Sequence, residues 1–139
     1  LVTEISVYDL DGTIRHNQNA KARWVTQWYE DGKISSEQHM DKDISRGYYS
    51  NGNLSFEYNE HYKTVYYPDG TMKERSERIA MPDGSYVLNG RHESYYENGN
   101  LMAEGIYNLG NIDGEWVSYN MDGSIKNREK YNSGLKVES

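Results

Sequence analysis

Residues 95–101 read Tyr95-Tyr96-Glu97-Asn98-Gly99-Asn100-Leu101: an aromatic pair, a polar link, an Asn-Gly step, then an aliphatic. The same grammar returns along the whole chain, as VYDLDGTI at Gly12, WYEDGKI at Gly32, YYSNGNL at Gly52, YYPDGTM at Gly70 and YNMDGSI at Gly123. The glycines are separated by 20, 20, 18, 29 and 24 residues. Steps of this size mark a repeat array, in which each unit buries its apolar face against its neighbours.

Four residues before each glycine stands Tyr8, Trp28, Tyr48, Tyr66, Tyr95 or Tyr119; two residues after it stands Ile14, Ile34, Leu54, Met72, Leu101 or Ile125. One geometry accounts for all six coincidences. If the three residues ending in glycine form a hairpin loop, a type I turn closed by a left-handed glycine, the aromatic and the aliphatic face each other across two strands. A two-residue mirror-type turn would pair the aliphatic with the residue three before the glycine instead. Pro68 and Pro82, each two before a glycine (Gly70 and Gly84), favour the three-residue loop. There proline occupies the second turn position, where its fixed negative φ is welcome; in a strand its missing N–H would forfeit a ladder bond.

Between the turns the chain alternates with period two, as in Thr64 and Tyr66 against Val65 and Tyr67, and no window carries a sustained helical stripe. The fold expected is all-β: an elongated single antiparallel meander of repeated hairpins, about a dozen short strands, forming one domain over residues 1–139. A weaker turn should close the other end of each unit, at Asn108-Leu109-Gly110-Asn111 and at Asn89-Gly90. The 29-residue step holds an extra loop around Met81-Pro82-Asp83-Gly84, read as an insertion within the array.

Leu, Ile, Val and Phe make up only 23 of 139 residues, a content low enough to suggest disorder in a charged chain. The 14 tyrosines and 3 tryptophans resolve the conflict, because each buries a large ring while keeping a polar edge satisfied. The core should be aromatic and thin. A net charge of −7 opposes phosphate backbones and anionic lipid, so no nucleic acid partner is expected. No apolar run of 18 residues exists to span a membrane. The absence of cysteine removes disulfides and thiolate metal sites and is compatible with an oxidising compartment. An upstream targeting segment before Leu1 is compatible with the sequence, and an exported or envelope location is favoured over the cytoplasm.

Val7-Tyr8-Asp9-Leu10-Asp11-Gly12-Thr13-Ile14 resembles the first motif of haloacid-dehalogenase-type phosphatases. That resemblance would make Asp9 the nucleophile and Asp11 the general acid. The preceding strand, however, alternates instead of running apolar, no helical body follows, and the same Gly-centred pattern recurs five more times. A turn explains it, so no catalytic residue, cofactor or metal ligand is expected. The histidines, His16, His39, His61 and His92, lie at least 22 residues apart and read as scattered surface residues. Trp24, Val25, Trp28 and Tyr29 form the densest aromatic patch, read first as core and cross-strand pairs. Ser35 to Lys42 is polar and reads as irregular or one helical turn, with no helix placed there; Lys73 to Arg78 alternates in charge and reads as a solvated strand or loop.

The stretch YYENGNLMAEGIYNLGNIDGEWVSYNMDGSIKNREKYNSG resembles the MORN repeat, and more closely its bacterial variant, in the sense Y-Y-x-N-G-x-L, Y-x-x-G, G-x-W-x-x-Y. Toward the N-terminus the second glycine is lost, with Arg23 and Arg46 at or beside its place. The resemblance implies an elongated, twisted antiparallel sheet. It also suggests a non-enzymatic role, since many bacterial members are labelled antitoxin components of the YwqK type and eukaryotic relatives serve as junction or scaffold modules. The chain also resembles clostridial-toxin and choline-binding wall repeats, which hold sugars or choline in aromatic cages; with three tryptophans for six units, glycan binding ranks second.

The aromatic doublets place a ring on each side of the sheet. Tyr29, Tyr49, Tyr67 and Tyr96, with Trp24, are therefore the expected partner-binding residues. A protein partner is expected, the protein being a monomer or associating through the edges of its sheet. The competing account is that these rings only cover strand backbone beside the turns.

Overall fold

The computed structural model describes residues 5–8, 14–17 and 24–137. Thirteen strands form one sheet: Ile5–Tyr8 (β1), Ile14–Asn17 (β2), Trp24–Trp28 (β3), Ile34–His39 (β4), Ser45–Tyr48 (β5), Leu54–Tyr58 (β6), Tyr62–Tyr66 (β7), Met72–Ala80 (β8), Tyr86–Tyr95 (β9), Leu101–Asn108 (β10), Asn111–Tyr119 (β11), Ile125–Asn132 (β12) and Leu135–Val137 (β13). There is no helix among the described residues. From β3 to β13 every strand pairs antiparallel with the next in sequence. The N-terminal hairpin departs from this meander. β1, not β2, abuts β3, in parallel, with Tyr8 opposite Gln27. β2 ends at the same side of the sheet where β3 begins, two strand spacings or ~10 Å away.

All six expected cross-strand pairs form: Tyr8 with Ile14, Trp28 with Ile34, Tyr48 with Leu54, Tyr66 with Met72, Tyr95 with Leu101 and Tyr119 with Ile125. The loop is the three-residue one. At Gly70 the N–H donates to the Tyr67 carbonyl (2.9 Å), the Tyr67 N–H donates to Thr71 (2.8 Å), and φ is +93°. A side chain there would be strained, which is why glycine ends each loop. Gly32, Gly52, Gly84, Gly99 and Gly123 repeat these bonds. Gly12 lies outside the described residues.

Two local expectations change. Asn108-Leu109-Gly110-Asn111 does turn, with Leu109 and Gly110 both at positive φ, but Asn89-Gly90 is a bulge inside β9, where the register slips between Ser76 and Arg78 of β8. Residues 35–39 of the polar Ser35–Lys42 stretch are strand, and the irregular turn is confined to residues 40–42. The 29-residue step still spans two strands, because its extra residues lengthen β8 and β9 and carry a further type I turn at Met81–Ser85 to the opposite edge.

The sheet is a single layer. The chain exposes 9104 Å², whereas a compact protein of 16.2 kDa would expose ~7,450 Å². Val117 is the one fully buried hydrophobic residue among those described. Packing comes instead from rings laid over glycines. A Cβ at Gly47 would lie 2.2 Å from the Phe56 ring, and one at Gly105 would lie 2.2 Å from the Trp116 ring, so both positions must lack a side chain.

Candidate functional site

Because side chains alternate, the cross-strand register sorts them into two faces. One carries the row Gln27, Ser36, Gly47, Phe56, Val65, with Tyr29, Tyr49, Tyr67 and Tyr96 in phase with it. The other carries Trp24, Glu37, Arg46, Glu57, Thr64 and Arg75. The four candidate tyrosines thus share a face and an edge, and Trp24 lies on the opposite face. There its ring meets His39 edge-on at 4.9 Å and lies beneath the Arg46 guanidinium at 5.0 Å.

The four tyrosines form a ladder. The hydroxyl of Tyr29 donates to the Tyr48 carbonyl (2.5 Å), Tyr49 to Tyr66 (2.7 Å), Tyr67 to Tyr95 (2.7 Å) and Tyr96 to Tyr119 (2.7 Å). Each second aromatic of a doublet ties its turn to the first aromatic of the next doublet. All four rings are half-buried. Successive rungs lie two strands apart, ~9.5 Å. In the last unit Asn120 stands in the tyrosine place and bonds Ser124 locally (3.0 Å), so the ladder stops there.

The turns are tied internally and to each other. In every described loop the Asp or Asn before the glycine accepts the N–H two residues on, as Asp31 does from Lys33, Asn51 from Asn53, Asp69 from Thr71 and Asn98 from Asn100. The hydroxyls of Thr71, Ser85 and Ser124 bond the same carboxylates and, with those N–H groups, hold Asp69, Asp83 and Asp122 below the usual carboxylate range. Asn51 and Asn53 both reach the Pro68 carbonyl, and Asn98 and Asn100 both reach that of Met121. Along the opposite edge the Gly110 N–H bonds Leu88 and the Gly134 N–H bonds Ile112. Sequence reading identified the turns and missed this second use of their polar residues. The signal was present: amides at both the position before and the position after Gly52 and Gly99.

The charged face is laced with ion pairs. Arg46 bridges Glu57 (2.7 Å) and Glu37 (3.8 Å); Arg91 joins Glu93 and Glu104. Glu93 also accepts from the Tyr95 hydroxyl, which pushes that phenol up to about 12. Beside this group Tyr62, Met72, Arg75, Glu77 and Arg91 line a cleft of about 290 Å³, with the Arg75 guanidinium 3.9 Å above the Tyr62 ring.

Of the histidines, His92 is not a surface residue. It is 8% exposed, hydrogen-bonded through Nδ1 to the fully buried Ser76 (2.7 Å) and stacked on Trp116 at 5.2 Å. Burial lowers its pKa. His39 is half-buried and its Nδ1 accepts the Asp41 and Lys42 N–H groups, whereas His61 is exposed. His16 lies outside the residues whose side chains are described, as do Asp9 and Asp11. No group of three His, Asp or Glu residues that could hold a metal occurs among the described residues, nor does a helix long and apolar enough to cross a membrane.

A family model, the MORN repeat variant, matches residues 25–42 and 88–109. The first match spans the hairpin β3–β4 with its turn at Gly32; the second spans β9–β10 with its turn at Gly99. Both stretches are similar to the MORN repeat variant. No curated protein matches the chain. The MORN-type turn, with its tyrosine rung and its Asp or Asn acceptor, also recurs at Gly52 and Gly70, beyond the matched residues.

Proposed function

We propose that the protein is a non-enzymatic repeat scaffold, antitoxin-like in type, that presents the face bearing Tyr29, Tyr49, Tyr67 and Tyr96 to a protein partner. The observation that carries this reading is the ladder. Four half-buried rings stand at a regular spacing, each hydroxyl already satisfied by the neighbouring unit. Rings held in this way offer contact area with little rotamer entropy left to lose. The β13 edge suits a monomer: the strand is three residues long, wholly exposed, and carries Lys136, a pattern that blunts strand addition.

The test is capture from native cell extract with three proteins: wild type, a Tyr49/Tyr67/Tyr96→Ser triple variant and the matching triple Phe variant. The Phe variant keeps the rings and loses the staples. A partner retained by Phe and lost by Ser supports the reading; a partner retained in full by a folded Ser variant removes this face. For the enzymatic alternative, Asp9→Asn should leave hydrolysis of an aryl phosphate at background. Magnesium-dependent turnover abolished by that substitution would overturn the scaffold reading.

A further inference from the structure

On the tyrosine-ladder face, Gln38 is the one large side chain on the two middle strands of the β3–β6 segment. Ser36 on β4 pairs with Gly47 on β5, and Gln38 on β4 pairs with Ser45 on β5. The flanking strands are large, with Val25 and Gln27 on β3 and Phe56 and Tyr58 on β6. Small residues between tall ones make a trough of about 250 Å³, lined by Val25, Gln27, Ser36, Gln38, Ser45 and Phe56. Glu37 and Arg46 border it too, but their side chains lie on the far face, where they pair with each other. The trough is therefore lined by neutral side chains in a chain of net charge −7.

Its polar groups have spare capacity. The Ser36 hydroxyl donates to the Gln27 carbonyl oxygen (3.0 Å), and among the described residues the Gln27 amide N–H₂, the Gln38 amide and the Ser45 hydroxyl meet no side-chain partner. Two primary amides and two hydroxyls supply both donors and acceptors. The Phe56 ring lies over Gly47 and is packed from the side by Tyr58 at 4.8 Å. On the far side of Tyr58 stands the lengthened β8–β9 hairpin. Arg78 from that hairpin is held between the Tyr58 and Tyr86 rings, at 5.6 and 4.0 Å, and bonds the Asn59 carbonyl (2.7 Å); the Tyr86 hydroxyl reaches Asp43 (2.5 Å).

We infer that this trough is a site for a single neutral sugar ring. A pyranose has an apolar C–H face that would rest on Phe56 and a rim of hydroxyls that would meet Gln27, Gln38, Ser36 and Ser45. No charged side chain among the lining residues faces into the trough to balance a charged ligand. A volume below the usual 300–1,000 Å³ of small-molecule pockets admits one ring and not an oligosaccharide chain. The site is separate from the protein-binding reading above, and either can fail alone.

Phe56 is the only phenylalanine in the chain, so ring-fluorinated phenylalanine gives one fluorine resonance that reports on the trough directly. Glucose, galactose and N-acetylglucosamine are titrated separately, beside glucuronate and acetamide. The expected result is saturable movement of that resonance with at least one neutral sugar, a midpoint raised at least fivefold in Gln38→Ala and Gln27→Ala, and a smaller response to glucuronate. Unchanged β-sheet circular dichroism shows that the variants fold. The inference is overturned by a flat resonance with all three sugars, by equal midpoints in wild type and both glutamine variants, or by acetamide matching the sugars.

Discussion

Replacing Tyr67 by phenylalanine isolates the staple between units, because it removes one hydroxyl and leaves the ring. That hydroxyl donates to the Tyr95 carbonyl at 2.7 Å in a half-buried site. A neutral hydrogen bond contributes ~0.5–1.5 kcal/mol net, and partial exposure places this one at ~0.5–1 kcal/mol. For a chain of 139 residues the loss lowers Tm by roughly 2–4 °C. Tyr67→Ala also strips the ring from the backbone it covers, for a total of ~2–3 kcal/mol. Because rungs stand ~9.5 Å apart, the single losses of Tyr49→Phe, Tyr67→Phe and Tyr96→Phe should add to within ~0.5 kcal/mol in the triple variant. The pH dependence gives a second reading. Burial chiefly, with Glu97 and Asp69 adding repulsion, raises the Tyr67 pKa above its ordinary value of 10.0. The folded value lies above the unfolded one, so this contribution is complete below pH 10 and is lost as pH rises through the folded value. Urea denaturation followed by circular dichroism measures all of this. A Tyr67→Phe midpoint equal to wild type, alongside a destabilised Tyr67→Ala, would show that only ring coverage counts and that the staple is idle.

Gly105→Ala should destabilise by ~1–3 kcal/mol, since its Cβ would stand 2.2 Å from a Trp116 ring packed on His92 and Tyr107; an unchanged urea midpoint would contradict the close approach. Burial keeps His92 neutral, opposed by Glu74 and Glu93 and assisted by Lys63. Its depressed pKa means that stability is present above the unfolded value of about 6.5 and is lost as pH falls through the folded value. Wild type should therefore lose stability between about pH 7 and pH 5 relative to His92→Gln, and parallel profiles would refute the assignment. Asp69 should titrate by NMR below an ordinary aspartate and move back up in Thr71→Val, which removes the hydroxyl that contributes most to the shift; no movement would place the cause elsewhere.

The turns were legible because they are local. A glycine at positive φ, a proline two residues before it and a fixed aromatic-to-aliphatic distance all lie within seven residues, so composition and spacing determined the loop type and the six cross-strand pairs. The doublets likewise placed Tyr29, Tyr49, Tyr67 and Tyr96 together on one face, since strand alternation needs no tertiary information. What those phenols bond was decided only in three dimensions: their acceptors lie 17 to 28 residues away, and nothing in the spacing says which carbonyl the ring tip meets. His92 was misplaced for the same reason, as its burial comes from Trp116 two strands over and from the glycine at 105 that lets that ring lie flat. Asn89-Gly90 has the composition of a turn and becomes a bulge because β8 continues past it and supplies Glu77, which accepts the Arg91 N–H. The parallel seating of β1 on β3 has no local signature, because a strand carries the same alternation whichever neighbour it joins.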